Sequence, residues 1–389
     1  MTRSARVLFL ISDLGTGGTA RATVHVVNGL AAAGVDVALL VMRRDGILTP
    51  LLDKRVQLLG TRVNMRRGIG LVLAVPELVQ LIRSNRPTMI VSSGNHMHLV
   101  AAMAHTIARV RSCALVLKMT NPVERSNKSR LSNMVRRRWY GWAFGRAAKV
   151  LVIADASRAE FARQYPRIAS KLRVVDNPYI TQAMIEAGKS PRKYVSGRLL
   201  AIGRLVPQKD YPLLFRALAQ ISGVDWSLDI LGDGPLGGLF RGQAQALGIG
   251  DRVVFRGFVP DPVPYLRNAH ALVLSSAWEG QGAVLLEALA SGCPVIATHS
   301  TAAVGDVLAN GVYGKLTPAG DETALAQAIA AELRRRTVLP SSTSAWVDRY
   351  RIDAGVKSHL KALDLNGAAP PAREPHPHAA EVESAIDAV

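Results

Sequence analysis

The chain reads as an α/β protein of two lobes, each built on a parallel sheet, and three observations predict it. Short apolar runs alternate with segments of helical spacing along most of the sequence, the pattern of successive βαβ units. Hydrophobic residues make up 49% of the chain but aromatic ones only 5%, so the cores must be filled by Ala, Val and Leu. At 389 residues there is enough chain for two domains that each bury their own core. The boundary falls where periodicity is lost after Asn177-Pro178: a first domain over 1–180, a second over 196–345, and a terminal segment 346–366 with helical apolar spacing from Trp346 to Leu363. Residues 367–389 are Ala-, Pro- and His-rich, cannot bury a core, and are expected to be disordered.

The first strand is Val7-Leu8-Phe9-Leu10-Ile11, too short for the apolar core of a signal peptide and therefore read as a buried strand. It runs into Gly15-Thr16-Gly17-Gly18-Thr19-Ala20-Arg21 and a helix from about Ala20 to Ala33, closed by Gly34. The loop suits a phosphate, although a dinucleotide site would also need an acid at a set distance, and Asp36 is too near. A strand from Thr88 to Val91 opens into Ser92-Ser93-Gly94-Asn95-His96-Met97-His98 at its carboxyl end. His96 and His98 invite a metal or base reading, but no carboxylate or third His lies near in sequence, and polarity of a loop explains them as well. Another strand, Cys113 to Lys118, ends in Met119-Thr120-Asn121-Pro122.

In the second half, Leu199 to Leu218 reads as a strand, a glycine turn at Gly203, a loop bearing Arg204 and Lys209, and an amphipathic helix. The carboxyl edge of a parallel sheet is where ligands bind, and a guanidinium fork beside an ammonium suits a diphosphate; surface solvation is the alternative for an isolated loop. Further on, strand Ala271-Leu272-Val273-Leu274 leads to a turn on Gly280 and Gly282 and a helix from about Val284. Glu279 lies on that loop and Glu287 in the first turns of the helix, eight residues apart. A helix N-terminus can hold a phosphate while flanking carboxylates accept hydrogen bonds from sugar hydroxyls, although two acids at such a spacing also arise by chance on a surface.

Taken in order, Gly203-Arg204 with Lys209, Gly232-Asp233-Gly234-Pro235, Val253-Val254-Phe255-Arg256-Gly257-Phe258 and the block from Glu279 to Glu287 ending Gly292-Cys293-Pro294-Val295 resemble a retaining glycosyltransferase of family 4. That resemblance covers most of the C-terminal half. It implies the GT-B fold, two Rossmann-like domains facing across a cleft, with the terminal helix crossing back to the first domain. It also implies that Arg204 and Lys209 hold the donor diphosphate, Glu279 meets the transferred sugar, and Glu287 binds the nucleotide ribose. Phe258 would flank the base, while Gly17, Gly18, Gly203, Gly280 and Gly282 line the donor site, with Arg21 beside them. Where many relatives place a His against the sugar, this chain has Asn121, like a subgroup acting on lipid-linked oligosaccharides, so Asn121, Asn95, His98 and Arg21 are the acceptor-side candidates. Two departures matter. Gln281 stands where an aromatic residue is common, which predicts a more polar donor-sugar pocket, and Ala303-Val304-Gly305-Asp306 lacks the Pro and Glu usual in that segment. No Asp-x-Asp motif appears, so no metal and no cofactor beyond the donor are expected.

Charge speaks to the acceptor. The net charge is +19, and residues 1–190 hold 29 Lys and Arg against 10 Asp and Glu, whereas the remainder is balanced at 19 against 19. A strongly basic first domain suits an anionic membrane surface, each cation near a leaflet being worth on the order of 1 kcal/mol. The segment from Arg125 to Phe144 mixes Arg125, Lys128, Arg130, Arg136, Arg137 and Arg138 with Trp139, Tyr140, Trp142 and Phe144, as a membrane-surface helix does, unless those rings pack inward. Arg62, Arg66 and Arg67 form a second cluster before the apolar run from Ile69 to Val75. Nucleic acid would also suit the charge, but no zinc finger, RNA-recognition aromatics or basic zipper is present, so no specific nucleic acid is expected. Cys113 and Cys293 are too isolated for a disulfide framework or zinc site, and no window nears the roughly 20 apolar residues that span a bilayer. The expectation is a cytoplasmic enzyme, peripheral at the inner membrane face, moving a hexose or N-acetylhexosamine from a UDP-sugar to a lipid-linked or polysaccharide acceptor. A nucleotide-sugar 2-epimerase of the same architecture is the competing reading.

Overall fold

The computed structural model describes residues 6–43, 46–62, 69–124, 129–335 and 337–365. The tail from 366, Arg66 and Arg67, and Arg125 and Lys128 lie outside them. Among the described residues the first sheet has seven strands: β1 (Arg6–Ile11), β2 (Asp36–Val41), β3 (Gln57–Gly60), β4 (Met89–Ser92), β5 (Ala114–Lys118), β6 (Lys149–Val152) and β7 (Leu172–Val174), in the order β3-β2-β1-β4-β5-β6-β7. The second has six: β8 (Arg198–Ile202), β9 (Ser227–Leu231), β10 (Val253–Gly257), β11 (Ala271–Leu274), β12 (Val295–Thr298) and β13 (Lys315–Thr317), in the order β10-β9-β8-β11-β12-β13. Every pairing between them is parallel, with Phe9 opposite both Leu39 and Val91, and Leu200 opposite both Asp229 and Leu272. This is the GT-B architecture.

Parallel strands covered by helices on both faces must be apolar on both faces, which is why RVLFLI or ALVLK reads as a continuous run and not as an alternating one. The pleat then divides each run between two cores. Leu8 and Leu10 join the core under helices Val75–Asn85 and His98–Ala108, whereas Val7, Phe9 and Ile11 join the one under helix Gly18–Ala32. Strand order reverses next to β1 and next to β8, so the crevices at those two switch points face each other across the cleft.

The chain crosses between lobes twice. After Asn177-Pro178, helix Gln182–Lys189 packs Met184 and Ile185 into the core of the second lobe, so residues left between the domains by periodicity belong to that lobe. On the return, Ile180 pairs with Arg351 and helix Ile352–Ala362 lays Val356, Leu360 and Ala362 against the core of the first lobe, burial worth on the order of 2 kcal/mol for each larger side chain. The terminal segment is two helices, Thr343–Asp348 and Ile352–Ala362, where the spacing predicted one. Gly29 allows the close crossing: a Cβ there would sit 2.4 Å from Val356 Cγ2.

Candidate active site

The switch point of the second lobe is built from charged pairs. After β8 the chain turns at Gly203, where a Cβ would meet the Lys209 stem at 2.7 Å, so a side chain at that position would displace the ammonium. Lys209 Nζ lies 2.5 Å from Glu279 Oε1, and Ser276 Oγ donates to the same oxygen at 2.7 Å. The two loops are stitched along their backbones as well: Ser275 Oγ donates to Lys209 O at 2.9 Å and Ala277 N to Gln208 O at 3.0 Å. Glu279 is 6% exposed, and a carboxylate that deeply placed needs such donors. Ser276 is a partner that sequence reasoning passed over, its only signal being its place at the carboxyl end of β11. Arg204 is exposed on the same loop.

Glu287 is different. It sits in helix Ala283–Ala290, 1% exposed, with Arg21 of the first lobe at 2.8 Å. That approach is at ion-pair distance without hydrogen-bond alignment, and neither carboxylate oxygen of Glu287 accepts a hydrogen bond. Arg21, read from sequence as an acceptor-side residue, is thus placed on the second acid. Gly18 lies against Ala283, its would-be Cβ 3.6 Å from the Ala283 methyl group. Helices Gly18–Ala32 and Ala283–Ala290 therefore meet start to start, capped by Gly17 and Gly282 with no side-chain bond, and their open N–H groups converge on one region. Gly282 takes φ of 70°, a left-handed turn that favours glycine. At the rim Phe258 is 40% exposed, its N–H held by Asp233 Oδ2 at 2.8 Å.

The first lobe contributes amides. Asn121 lines, with Glu279 and Gly280, a narrow space of about 30 Å³ between the lobes. Asn95 does not present its amide to that space. It is 6% exposed, accepts from Thr120 N at 2.9 Å and Thr120 Oγ1 at 3.2 Å, and donates to Asn121 O at 2.7 Å, while Tyr140 OH donates to its carbonyl at 2.7 Å. The carbonyl of Thr120 would stand 2.0 Å from a Cβ at Gly280, which is why the residue after Glu279 must be glycine.

His98 belongs to the core, which corrects its place among acceptor-side residues. The chain leaves β4 through a tight turn at 95–97 and His98 starts the next helix, fully buried, with Ser92 Oγ 2.8 Å from Nδ1. Burial, and then His96 nearby, bring its pKa down to about 3, so the ring is neutral. Gln281 also departs from expectation: it is 3% exposed and turns toward the first lobe instead of lining a sugar pocket. Asp306 reaches across the cleft to accept from Ala156 N at 2.9 Å, capping a helix whose own N-cap, Ala154, has no side-chain acceptor.

On the outer face, helix Arg130–Arg146 exposes Leu131, Met134, Val135, Arg138 and Trp139, with Trp139 53% exposed. Trp142 is half-buried under Arg146 and Phe144 is in the core, so the rings divide between the two readings. Arg136 Nε donates to Val123 O at 2.9 Å and Arg137 to Gln164 O at 3.1 Å, which ties both to the lobe. Among the described residues no group of three His, Cys, Asp or Glu is placed to hold a metal, and no helix is long and apolar enough to cross a membrane.

Two facing Rossmann-like lobes with a charged switch point define a GT-B protein. Solved structures agree in fold: HepE from Anabaena in complex with UDP-glucose has a TM-score of 0.72 at 20% identity over 94% of this chain and 100% of that one. The lipopolysaccharide outer core galactosyltransferase WaaB, in its apo form, has 0.69 at 19% over 93% and 99%. Residues 17–178 match the model of the glycosyl transferase 4-like domain and residues 196–335 that of glycosyl transferases group 1. The chain belongs to this glycosyltransferase family. Its relatives include an N-acetylgalactosamine-N,N'-diacetylbacillosaminyl-diphospho-undecaprenol 4-alpha-N-acetylgalactosaminyltransferase of Campylobacter jejuni, 23% identical over 60% of this chain and 64% of the relative. A lipopolysaccharide 1,6-galactosyltransferase of Salmonella typhimurium is 32% identical over 39% of this chain and 43% of the relative. The matched segments thus span less than two thirds of either relative's length.

Proposed function

We propose that the protein transfers a hexose or N-acetylhexosamine from a UDP-sugar, with retention of anomeric configuration, to a lipid-linked or growing glycan at the cytoplasmic face of a membrane. The observation that carries this reading is Glu287, a buried carboxylate with no hydrogen bond to either oxygen, set beside two open helix N-termini. Such an acid calls for a ligand with vicinal hydroxyls, which a ribose supplies, and the N-termini call for phosphate. Glu279, at the edge of the space shared with Asn121, is positioned for the sugar.

The chemistry follows from the leaving group. As the anomeric bond breaks, negative charge collects on the diphosphate, and fixed cations lower the barrier to that step. Lys209 and Arg204 supply them, so no divalent ion and no cofactor beyond the donor is assigned. Departure of the diphosphate leaves its oxygens on the face where the acceptor hydroxyl attacks, which favours same-face transfer. The relatives point the same way on the acceptor: one is named for a diphospho-undecaprenol glycan and the other for lipopolysaccharide. The family models and both relatives are glycosyltransferases, which favours transfer over the epimerase reading.

Calorimetry with UDP and a panel of UDP-, GDP- and ADP-sugars tests the assignment. UDP should bind the wild-type chain, and Glu287→Gln should weaken it about tenfold, the order of one charge-assisted hydrogen bond. Absence of binding by any nucleotide or nucleotide sugar would overturn the reading, and donor epimerised without acceptor would replace it by the rival.

A further inference from the structure

Gln281 follows the two residues that meet the donor sugar and the first lobe, Glu279 and Gly280, and it uses both ends of its carboxamide. Its Oε1 accepts from Asn177 Nδ2 at 3.1 Å, at the crossover between lobes, and its Nε2 donates to Ile153 O at 2.9 Å, just past the end of β6 in the first lobe. The site is closed to solvent, with Gln281 at 3% and Asn177 at 1% exposure, so each bond is made away from competing water. Asn177 is held in turn by the Tyr179 hydroxyl at 3.1 Å. One amide therefore joins three places that have to move relative to one another if the lobes open: the sugar loop, the crossover and the first sheet.

We propose that Gln281 is a positioning residue that fastens the loop bearing Glu279 to the first lobe, so that lobe closure and placement of Glu279 are a single event. The amide is specific to this task. It needs an acceptor toward Asn177 and a donor toward Ile153, and no apolar side chain offers either. A carboxylate offers only the first and would be a buried charge facing a carbonyl. Three neighbouring contacts support the coupling: Gly280 abuts the Thr120 carbonyl, Asp306 caps the helix that begins at Asp155, and Arg21 reaches Glu287. Each joins a residue of the first lobe to one of the second, from the loop at Gly280 or from helices Ala283–Ala290 and Ala302–Val307. Opening the lobes would break the two bonds of Gln281 together and release the loop from its contact with Thr120.

This inference rests on the donor-site reading of Glu279, and its test separates the two. Gln281→Met keeps the length and removes both bonds; Gln281→Glu removes one. Hydrogen exchange of the ligand-free protein should show amides 277–282 exchanging about tenfold faster in Gln281→Met, with β8 and β9 unchanged. Unchanged exchange in that loop overturns the proposal whether or not a donor is ever found. With a donor in hand, Gln281→Met should hold UDP affinity within about twofold while kcat falls about tenfold and donor hydrolysis gains on transfer. A loss of kcat that merely tracks loss of UDP affinity, or a kcat equal to wild type, also overturns it. Should Gln281→Met fail to fold, Asn177→Ser and Gln281→Glu read the same loop, each with an expected smaller acceleration, and the absence of acceleration in both overturns the proposal equally.

Discussion

The two walls of the cleft are made of different materials. On the second lobe, the half-buried Lys209 pairs with the buried Glu279, and Glu287 is a second buried carboxylate that Arg21 approaches while neither of its oxygens accepts a hydrogen bond. On the first lobe the corresponding loops hold themselves by neutral amides and hydroxyls, Asn95 to Thr120 and Asn121, with Tyr140 behind. Arg21 is a cation that this lobe brings to the second acid, whereas Arg138 is exposed on helix Arg130–Arg146. A wall that must grip a diphosphate needs fixed charge, whereas a wall that must present hydroxyl acceptors needs a stiff scaffold whose groups are already satisfied.

The sharpest way to break this comparison is Lys209→Ala. Removal of the ammonium takes away a diphosphate contact and leaves Glu279 with Ser276 as its remaining donor, so turnover should fall about a hundredfold in a steady-state assay, with Arg204→Ala nearer tenfold. Unchanged kinetics in both would dissolve the idea of a charged wall.

Stability against pH probes the neutral wall. His98 and His359 are buried with pKa values below the usual range, burial being the first cause in each, and His98 is down to about 3. The unfolded chain takes up those protons below about pH 6.5 and the folded one does not, so stability is present above that pH and is lost as pH falls toward 3. At pH 5 the loss from His98 should be about 2 kcal/mol relative to pH 7.5, read from urea midpoints. Lys118, lowered by burial to about 7, acts with the same sign at higher pH, where stability should rise above neutrality. A flat profile between pH 7.5 and 5, or one that His98→Gln leaves equally steep, contradicts the neutral-core placement.

A smaller effect is expected from Asn95→Ala, which frees the Thr120-Asn121 loop: acceptor KM should rise about fivefold with UDP affinity unchanged. Equal losses in both would make Asn95 a general structural residue. Smallest in turnover should be Arg138→Ser with Trp139→Ser. Activity on a soluble acceptor should persist, while sedimentation with anionic vesicles falls; undiminished sedimentation would take the outer helix out of the membrane reading.

Much of the candidate site is legible because its parts are local. Gly203, Lys209, Glu279 and Glu287 sit within short motifs at strand ends, and the sequence-to-structure step there is only a turn and a helix start. What was not legible lies where distant segments meet. Nothing near Arg21 in sequence announces Glu287, and Gln281 reads as a polar pocket residue until the Ile153 carbonyl appears 2.9 Å from its amide. His98 was misplaced for a related reason. The stretch from Ser92 to His98 reads from sequence as a polar loop, but the chain turns within three residues, which puts the ring inside, edge-on to Tyr140 at 6.2 Å.

By itself the sequence determined the parallel sheets, the division into two lobes and the basic bias of the first half, and it pointed to the cationic loop and the two acids as candidates. Those follow from periodicity, turn chemistry and charge, which act over a few residues or are summed without regard to position. Only the tertiary structure decided which cation meets each carboxylate and that Glu287 accepts no hydrogen bond, that Asn95 supports a loop and His98 a core, and that Gln281 joins the lobes. Each of these depends on which buried polar group finds a partner, and in a folded chain that partner is set by packing across the cleft, not by nearness along the backbone.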